Sequence, residues 1–266
     1  MRSSKSFQGW AVVAVLMLYA CAVTPLTQRQ QLSLIPESQL IQLSLSSYKE
    51  TLSKLKIATD PNEVEPVVRV GKRLAAATEQ YLQSQGYSTA SYSWEFNVIK
   101  DDKTINAWCM PGGKIAVYTG ILPIAQNDNG LAVVMGHEIA HAIANHGSER
   151  LSQSLLVELG GAALSVALQE QPAKTKELFS LAYGAGSQVG ILLPYSRLHE
   201  SEADRIGLTI MALAGYDPRE AIPFWQRMNQ VGGQNPPEFL STHPAPDSRI
   251  ANIERFLPEA MALYQP

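Results

Sequence analysis

Two histidines and a glutamate occur together in an apolar stretch, in the order His137-Glu138-x-x-His141. Residues four apart in a helix lie on one face, about one turn from each other, so both imidazoles can reach a single metal ion. Glu138 lies about 100° further round the helix. That direction suits a base acting on a water molecule at the metal better than it suits a third ligand.

The flanks of this stretch predict a helix that lies against a hydrophobic core. Asn127 or Asp128 offers an N-cap, and Gly147 is typical of a helix end. The apolar positions between them are Leu131, Val133, Val134 and Ile139. On this pattern alone, a buried helix with two hydrogen-bonded structural histidines remains an alternative to a metal site.

A catalytic zinc site needs a third protein ligand and an open position for water. Glu200 and Asp204 are four residues apart and share a helix face. Packed against the first helix, Glu200 would reach the metal, and Asp204 would accept an N–H from a ligating histidine. Glu202 is expected to point elsewhere, into solvent. An acidic surface helix is the alternative, and the spacing does not choose between the two.

Composition places the chain among folded proteins with one sizeable core. It has 266 residues, of which 45% are hydrophobic and 17% charged. The formal net charge of −3 gives no indication of nucleic-acid binding. One of the two cysteines, Cys109, is predicted to be a small buried strand residue, because no histidine lies near it in the sequence.

The first twenty residues resemble a secretion signal of the lipoprotein type. Arg2 and Lys5 precede an apolar run at 10–19, and Ala20-Cys21 follows as in a bacterial lipobox. We therefore expect a signal peptide at 1–20, lipidation of Cys21, a tether at 21–42 and one domain at 43–266. Ala22 in place of aspartate indicates outer-membrane sorting. An ordinary signal peptide and an uncleaved anchor remain alternatives.

The order of the predicted elements indicates an α+β fold that is mostly helical. A helix is expected over 61–86, where Asp60-Pro61 provides a cap and a first-turn proline. Alternation over 92–99 predicts a strand, and Pro111-Gly112-Gly113 predicts a hairpin turn. From Asn127 onward the chain is expected to be helical, and 148–169 and 172–189 would form a core hairpin or a lid.

The second strand of that hairpin is the candidate to hold a substrate. Strand addition to an exposed edge binds an extended peptide, and a simple structural hairpin is an equally weighted alternative. The residues concerned are Lys114, Ile115, Ala116, Val117 and Tyr118.

The combined motifs resemble the gluzincin zinc metallopeptidases related to HtpX and the CAAX prenyl protease. Arg-x-x-Glu-x-x-Ala-Asp follows the HExxH motif by about sixty residues, and the sequence looks most similar to the bacterial envelope branch of BepA- and LoiP-like proteins. The resemblance covers roughly 92–256. It includes Asn106, the Pro111-Gly112-Gly113-Lys114-Ile115 run with Thr119-Gly120, Thr242-His243-Pro244 and Arg249.

The resemblance implies a mostly helical zincin with a small sheet whose edge holds substrate. His137, His141 and Glu200 would bind one Zn²⁺ per chain, Glu138 would be the catalytic base and Asp204 the supporting acid. His243 would donate to the oxyanion or occupy the open metal position in a resting state. Tyr195 would steady the oxyanion, and Arg249 would support the same charge or form a salt bridge to an acid. His146 and His199 are expected at the surface.

The function expected from these features is a zinc-dependent endopeptidase of the bacterial cell envelope. It would hydrolyse misfolded or misassembled envelope proteins while held at the membrane by its lipid anchor. An outer-membrane assembly factor or chaperone, working with the envelope assembly machinery, is the alternative. A non-enzymatic metal-binding lipoprotein is a third possibility, although such a protein has no need of Glu138.

Overall fold

The computed structural model describes residues 21–159, 196–231, 237–243 and 248–266. Helices dominate these ranges and two small sheets complete them, which confirms the predicted α+β class. The predicted signal peptide at 1–20 lies outside the described residues. Within the described parts, no helix combines the length and apolar character that crossing a membrane requires.

The described part of the chain starts with a small hairpin, and two long helices follow it. Strands β1 (Cys21–Val23) and β2 (Gln30–Leu32) pair antiparallel, and helices α1 (Glu37–Lys54) and α2 (Pro61–Ser84) follow. The Asp60 side chain caps α2 by accepting from the backbone N–H of Asn62. The helix predicted at 61–86 is thereby confirmed.

The boundary predicted between tether and domain at residue 42 falls inside α1 and is wrong for this part of the chain. Leu40 is already buried in the first half of α1, so the amphipathic helix starts before the predicted boundary. The Ser44 hydroxyl then donates to the Pro111 carbonyl oxygen at 2.6 Å, which ties α1 to the main sheet.

The main sheet has three strands in the order β3-β5-β4. Strand β3 (Glu95–Ile99) runs parallel to β5 (Lys114–Tyr118), and β4 (Ala107–Met110) runs antiparallel to β5. Gly112 and Gly113 both have positive φ in the β4–β5 turn, as predicted for this hairpin.

The remaining elements are short turns and helices that surround the sheet and the site. A 3₁₀ turn at Thr119–Ile121 leads to α3 (Leu122–Ala125), and a second 3₁₀ turn at Pro218–Glu220 precedes α7. The helices that follow α3 are α4 (Asp128–Ile143), α5 (His146–Leu159), α6 (Arg197–Leu213), α7 (Ala221–Val231), α8 (Glu238–Thr242) and α9 (Arg249–Met261). The predicted stretch at 172–189 and residues 160–169 of the stretch at 148–169 lie outside the described residues.

Helix α4 is the centre of the core. Every residue from Gly130 to Ile143 is buried, and the helix packs against α2, α6 and β4. The opposite face of the sheet is covered by α1 and α5, where Tyr48 meets Trp108 edge to face and Leu151 joins the same cluster. The sheet and α6 therefore hold α4 on two sides.

Candidate metal centre

Four buried side chains on three helical segments direct one donor atom each toward a common point. The donors of His137, His141, Glu200 and His243 lie within 4.8 Å of one another. The two Nε2 atoms of the α4 histidines are 3.0 Å apart. The Glu200 carboxylate oxygens lie 3.3 Å from each of these two atoms, Oε2 from His137 and Oε1 from His141.

The close crossing of α4 and α6 brings Glu200 to the two histidines. Gly136 and Gly207 face each other at this crossing, and a Cβ on Gly207 would lie 3.0 Å from the backbone nitrogen of His137. Helix α6 is capped by Ser196, whose side chain accepts from the backbone N–H of His199. Glu200 thus stands in the first turn of α6, facing the HExxH residues.

His137 is oriented by an acid and an arginine. Its Nδ1 lies 3.0 Å from Asp204 Oδ1, and Arg249 Nη2 donates to the same oxygen at 2.6 Å. Arg249 also donates to Glu200 Oε2 at 3.0 Å, and its guanidinium lies 3.4 Å from the Trp225 ring centroid. Asp204 therefore stands where the sequence predicted a supporting acid.

For Arg249, contact with the substrate through the oxyanion stays a prediction, and the structure shows buried salt bridges. The residue is only 3% exposed, and its guanidinium binds Glu200 and Asp204, which are both buried. Of the two roles that the sequence left open, the salt bridge to an acid is the one the structure shows. A buried carboxylate pair needs such a cation because an unpaired buried charge is costly.

These donors fit a zinc ion. Asp204 faces Nδ1 of His137 and His146 faces Nδ1 of His141, so both Nε2 atoms point inward beside the Glu200 carboxylate. Burial keeps the pKa of His141 well below its usual value, which leaves the ring neutral for coordination. Burial opposes ionisation of Glu200, but the neighbouring His243 and His137 outweigh it and hold the pKa of this carboxyl well below its usual value. Two imidazoles and a carboxylate are the ligand set of many catalytic zinc sites.

Glu138 lies beside this cluster without joining it. Its side chain is 3% exposed, and its Oε1 atom has no hydrogen-bond partner among the described residues. That oxygen is 3.4 Å from Nε2 of His243. Burial raises the pKa of the Glu138 carboxyl above its usual value. A buried carboxylate with one oxygen free of hydrogen bonds, next to the donor set, is suitably placed for a base.

His243 directly follows α8 and lies against the other donors. Its Nδ1 lies 3.1 Å from Glu200 Oε1 and 3.3 Å from His137 Nε2. Phe239 stacks on its ring at 4.5 Å between centroids, and the Phe239 N–H donates to the Ile105 carbonyl oxygen. The position matches a fourth ligand, which is one of the two roles that the sequence left open.

The predicted surface positions of His146, His199 and Glu202 are wrong, since all three side chains are buried. His146 Nδ1 lies 2.9 Å from His141 Nδ1, and His146 Nε2 lies 2.9 Å from Glu202 Oε2. His199 stacks on His146 with 4.5 Å between ring centroids. The helix α4 ends before this point, and Asn145 has a positive φ of 55° that turns the chain back toward the metal site.

The substrate-binding residues predicted in β5 do not form a free edge. Lys114, Ile115, Ala116, Val117 and Tyr118 are paired with β3 on one side and β4 on the other, so their backbone cannot add a further strand. The Lys114 ammonium donates to the Ser93 carbonyl oxygen and lies 3.5 Å from Glu95. Tyr195 lies outside the described residues.

Cys109 is a buried residue of β4, as predicted. Burial and the nearby Glu138 carboxylate raise the pKa of its thiol well above the usual value. A nucleophilic cysteine requires the opposite shift.

An HExxH helix, a ligating glutamate from a crossing helix and a buried carboxylate beside the donors define a zincin-type metallopeptidase. Residues 69–257 match Peptidase family M48. The chain belongs to this family, and the match together with its metalloendopeptidase relatives confirms the prediction of a metallopeptidase.

Several curated proteins resemble the chain over most of its length. The mitochondrial metalloendopeptidase OMA1 of Schizosaccharomyces pombe is 35% identical over 245 residues, which cover 89% of this chain and 66% of that protein. The OMA1 metalloendopeptidase of Homo sapiens is 31% identical over 249 residues, with 91% and 47% covered. The beta-barrel assembly-enhancing protease of Escherichia coli is 29% identical over 184 residues, with 65% and 37% covered. The chain spans about half to two-thirds of the length of the two OMA1 relatives.

These relatives correct the predicted location. Proteins named as mitochondrial from fungi, a plant and animals match with higher identity than the Escherichia coli protease, so the assignment to a bacterial outer membrane is wrong. The comparisons also give no support to the BepA- and LoiP-like branch, the lipoprotein signal or a partnership with envelope assembly machinery. The alternative of an assembly factor or chaperone is not favoured.

Proposed function

We propose that the chain is a zinc-dependent endopeptidase that cleaves extended segments of protein substrates. The observation that carries this proposal is the convergence of His137, His141 and Glu200 beside the unbonded Oε1 of Glu138. His137, His141 and Glu200 would hold the zinc ion, which would supply polarisation of the scissile carbonyl and a pKa of bound water lowered toward about 7.

Glu138 acts as the general base and then as the general acid. It takes a proton from the attacking water and delivers it to the leaving amine. Its raised pKa suits this double role, because a carboxyl with a pKa nearer neutrality both accepts and returns a proton readily.

His243 closes the site in the resting arrangement. Three protein ligands and one open position characterise catalytic zinc sites, whereas four protein ligands characterise closed ones. The described positions of His243, His137, His141 and Glu200 match the closed type. Cleavage therefore requires His243 to move away from the donor set, which makes the activity gated.

Strand β4 is the edge that receives the substrate. It pairs with β5 on one side, and no described strand pairs with its other side. The Tyr118 N–H donates to the Asn106 carbonyl oxygen, so these two residues form a hydrogen-bonded pair. In an antiparallel pair of strands, such residues alternate with residues whose backbone groups point away from the partner strand. The backbone groups of Ala107 and Cys109 therefore point away from β5. Ala107 and Cys109 are buried, so an extended peptide would add at these two residues, next to α4, only after the contacts that cover them open.

The test is cleavage of casein by the full chain, with and without a zinc chelator, beside Glu138→Gln. We expect cleavage that the chelator removes and added zinc restores. Glu138→Gln should keep zinc at one per chain and lose about 10²–10⁴-fold in rate, the usual contribution of acid–base catalysis. Well-folded wild-type protein that binds no zinc would overturn the proposal.

A further inference from the structure

The N-terminal hairpin (residues 21–32) reaches into the protein behind the metal centre. Arg29, at the end of its turn, inserts its guanidinium between two acids. Its Nε donates to Glu202 Oε2 at 2.7 Å, and its Nη2 donates to Glu149 Oε2 at 2.8 Å. The Thr24 hydroxyl donates to Glu202 Oε1 at 2.9 Å, and the Thr27 hydroxyl contacts the same oxygen. The hairpin thereby fixes both oxygens of Glu202.

From Glu202 a single histidine leads to a metal ligand. His146 Nε2 lies 2.9 Å from Glu202 Oε2, and His146 Nδ1 lies 2.9 Å from His141 Nδ1. All three side chains are less than a tenth exposed. The second nitrogen of a ligating histidine usually donates to a carboxylate, a backbone carbonyl or water. Here the imidazole of His146 lies between the ligand His141 and the carboxylate of Glu202.

The hydrogen atoms along this path have only one consistent arrangement. When His141 binds zinc through Nε2, its Nδ1 carries a hydrogen and must donate it. His146 Nδ1 is then the acceptor, so the proton of the neutral His146 ring sits on Nε2 and is donated to Glu202.

We propose that Glu202 is a positioning residue for the metal ligand His141, acting through His146, and that Arg29 keeps Glu202 in place. The inference rests on the proposed metal site. Without the Glu202 acceptor, the His146 proton has no fixed position, and the tautomer and angle of His141 are no longer determined. The N-terminal hairpin is then part of the metal centre, although its described hydrogen bonds reach none of the four ligand candidates.

Glu149 provides a matched control for Glu202. Both acids are buried and both bind Arg29, so removing either one costs Arg29 a charged partner. Glu149 binds His199 at 3.0 Å, and His199 is stacked on His146 rather than hydrogen-bonded along the path to His141. A purely structural role would make the two substitutions equivalent.

The experiment measures zinc affinity of the full chain by competition with a chelator, together with the visible spectrum of the cobalt-substituted protein. We expect Glu202→Ala to weaken zinc binding about 10–100-fold, as loss of an outer-shell partner does, and to alter the cobalt absorption. Glu202→Gln should recover most of the affinity, because its amide oxygen still accepts from His146. Glu149→Ala should change the affinity less than about threefold and leave the cobalt spectrum as in wild type.

Arg29→Gln supplies a second comparison that keeps both acids. Its zinc affinity should fall in the same direction as that of Glu202→Ala but by less, because Thr24 and Thr27 still bond Glu202. If Glu202→Ala loses its helical circular-dichroism signal, the zinc affinities of Arg29→Gln and Glu149→Ala are compared instead. Equal affinities and equal cobalt spectra for the variants at 202, 29 and 149 would overturn the inference. Absence of zinc binding in wild type would instead overturn the proposed function.

Discussion

Gly136 on α4 and Gly207 on α6 touch backbone to backbone, with a Cβ built on Gly136 only 3.2 Å from the Gly207 carbonyl oxygen. No side chain separates the two helices at this crossing. Because the axes approach so closely, Glu200 and Asp204 on α6 come within hydrogen-bonding distance of His137. The geometry of the metal centre therefore depends on two residues that carry no chemistry.

Gly207→Ala should destabilise the protein. In an ordinary helix interior this change stabilises by about 1 kcal/mol, but here the new Cβ would lie 3.0 Å from the His137 nitrogen and force the helices apart. We expect a loss of about 1–3 kcal/mol, as for other overpacked cores, together with weaker zinc binding. Urea unfolding and chelator competition measure the two effects. A variant more stable than wild type would show that the crossing relaxes without cost.

Arg249→Ala should destabilise the protein much more than an exposed substitution on the same helix. It leaves Glu200 and Asp204 buried without their cation, and breaking a buried pair in this way costs about 3–5 kcal/mol. Arg255→Ala is the control, because Arg255 is exposed on α9 and its loss should stay within about 0.5 kcal/mol. Equal unfolding midpoints for the two variants in urea would contradict the role given to Arg249.

His243→Ala should raise the basal rate of casein cleavage while zinc remains at one per chain. Three of the four donors stay in place, and the position near Glu138 Oε1 is opened to water and substrate. The comparison is the initial rate of the variant against wild type, with zinc content measured on the same samples. A rate as low as that of Glu138→Gln would assign His243 to transition-state stabilisation instead of closure.

The structure also predicts how acid affects stability through Glu149. Burial opposes ionisation of this carboxyl, but hydrogen bonds from His199 and Arg29 outweigh it and lower its pKa from 4.5 to about 2. A carboxyl whose pKa is depressed by folding stabilises the protein above pH 4.5, and this contribution is lost as the pH falls toward 2. The stability gap between wild type and Glu149→Gln, both freed of metal by chelator, should therefore shrink over that interval. A gap that is constant from pH 7 to pH 3 in urea unfolding would contradict the ion pair.

The sequence was sufficient to predict the residues that share one helix face. His137 and His141, and likewise Glu200 and Asp204, are each four apart on one helix, and the structure brings all four together. The prediction that His146 lies at the surface assumed a continuous helix, and it failed because the chain turns at Asn145, where φ is positive. On a continuous helix His146 would point away from the face that carries the ligands, and the turn at Asn145 brings it back to His141.

Contacts between residues that are far apart in the sequence explain the other wrong predictions. Strand β5 follows β4 in a hairpin, and the pattern of either strand alone gives no sign that β3 pairs parallel with β5 and takes its free edge. Arg249 is 45 residues from Asp204 along the chain, so its partner is not visible in local spacing. Glu202 was assigned to solvent for the same reason, since Arg29 lies 173 residues away from it.

Two arginines from opposite parts of the sequence support the two α4 histidines. Arg249 reaches His137 through Asp204, and Arg29 reaches His141 through Glu202 and His146. During synthesis on the ribosome, a chain that has emerged only as far as α7 already contains His137, His141 and Glu200 but not the cation that holds Glu200 and Asp204. The buried carboxylates of Glu200 and Asp204 therefore gain their cation only after Arg249 has left the exit tunnel, so the metal centre is completed late in synthesis.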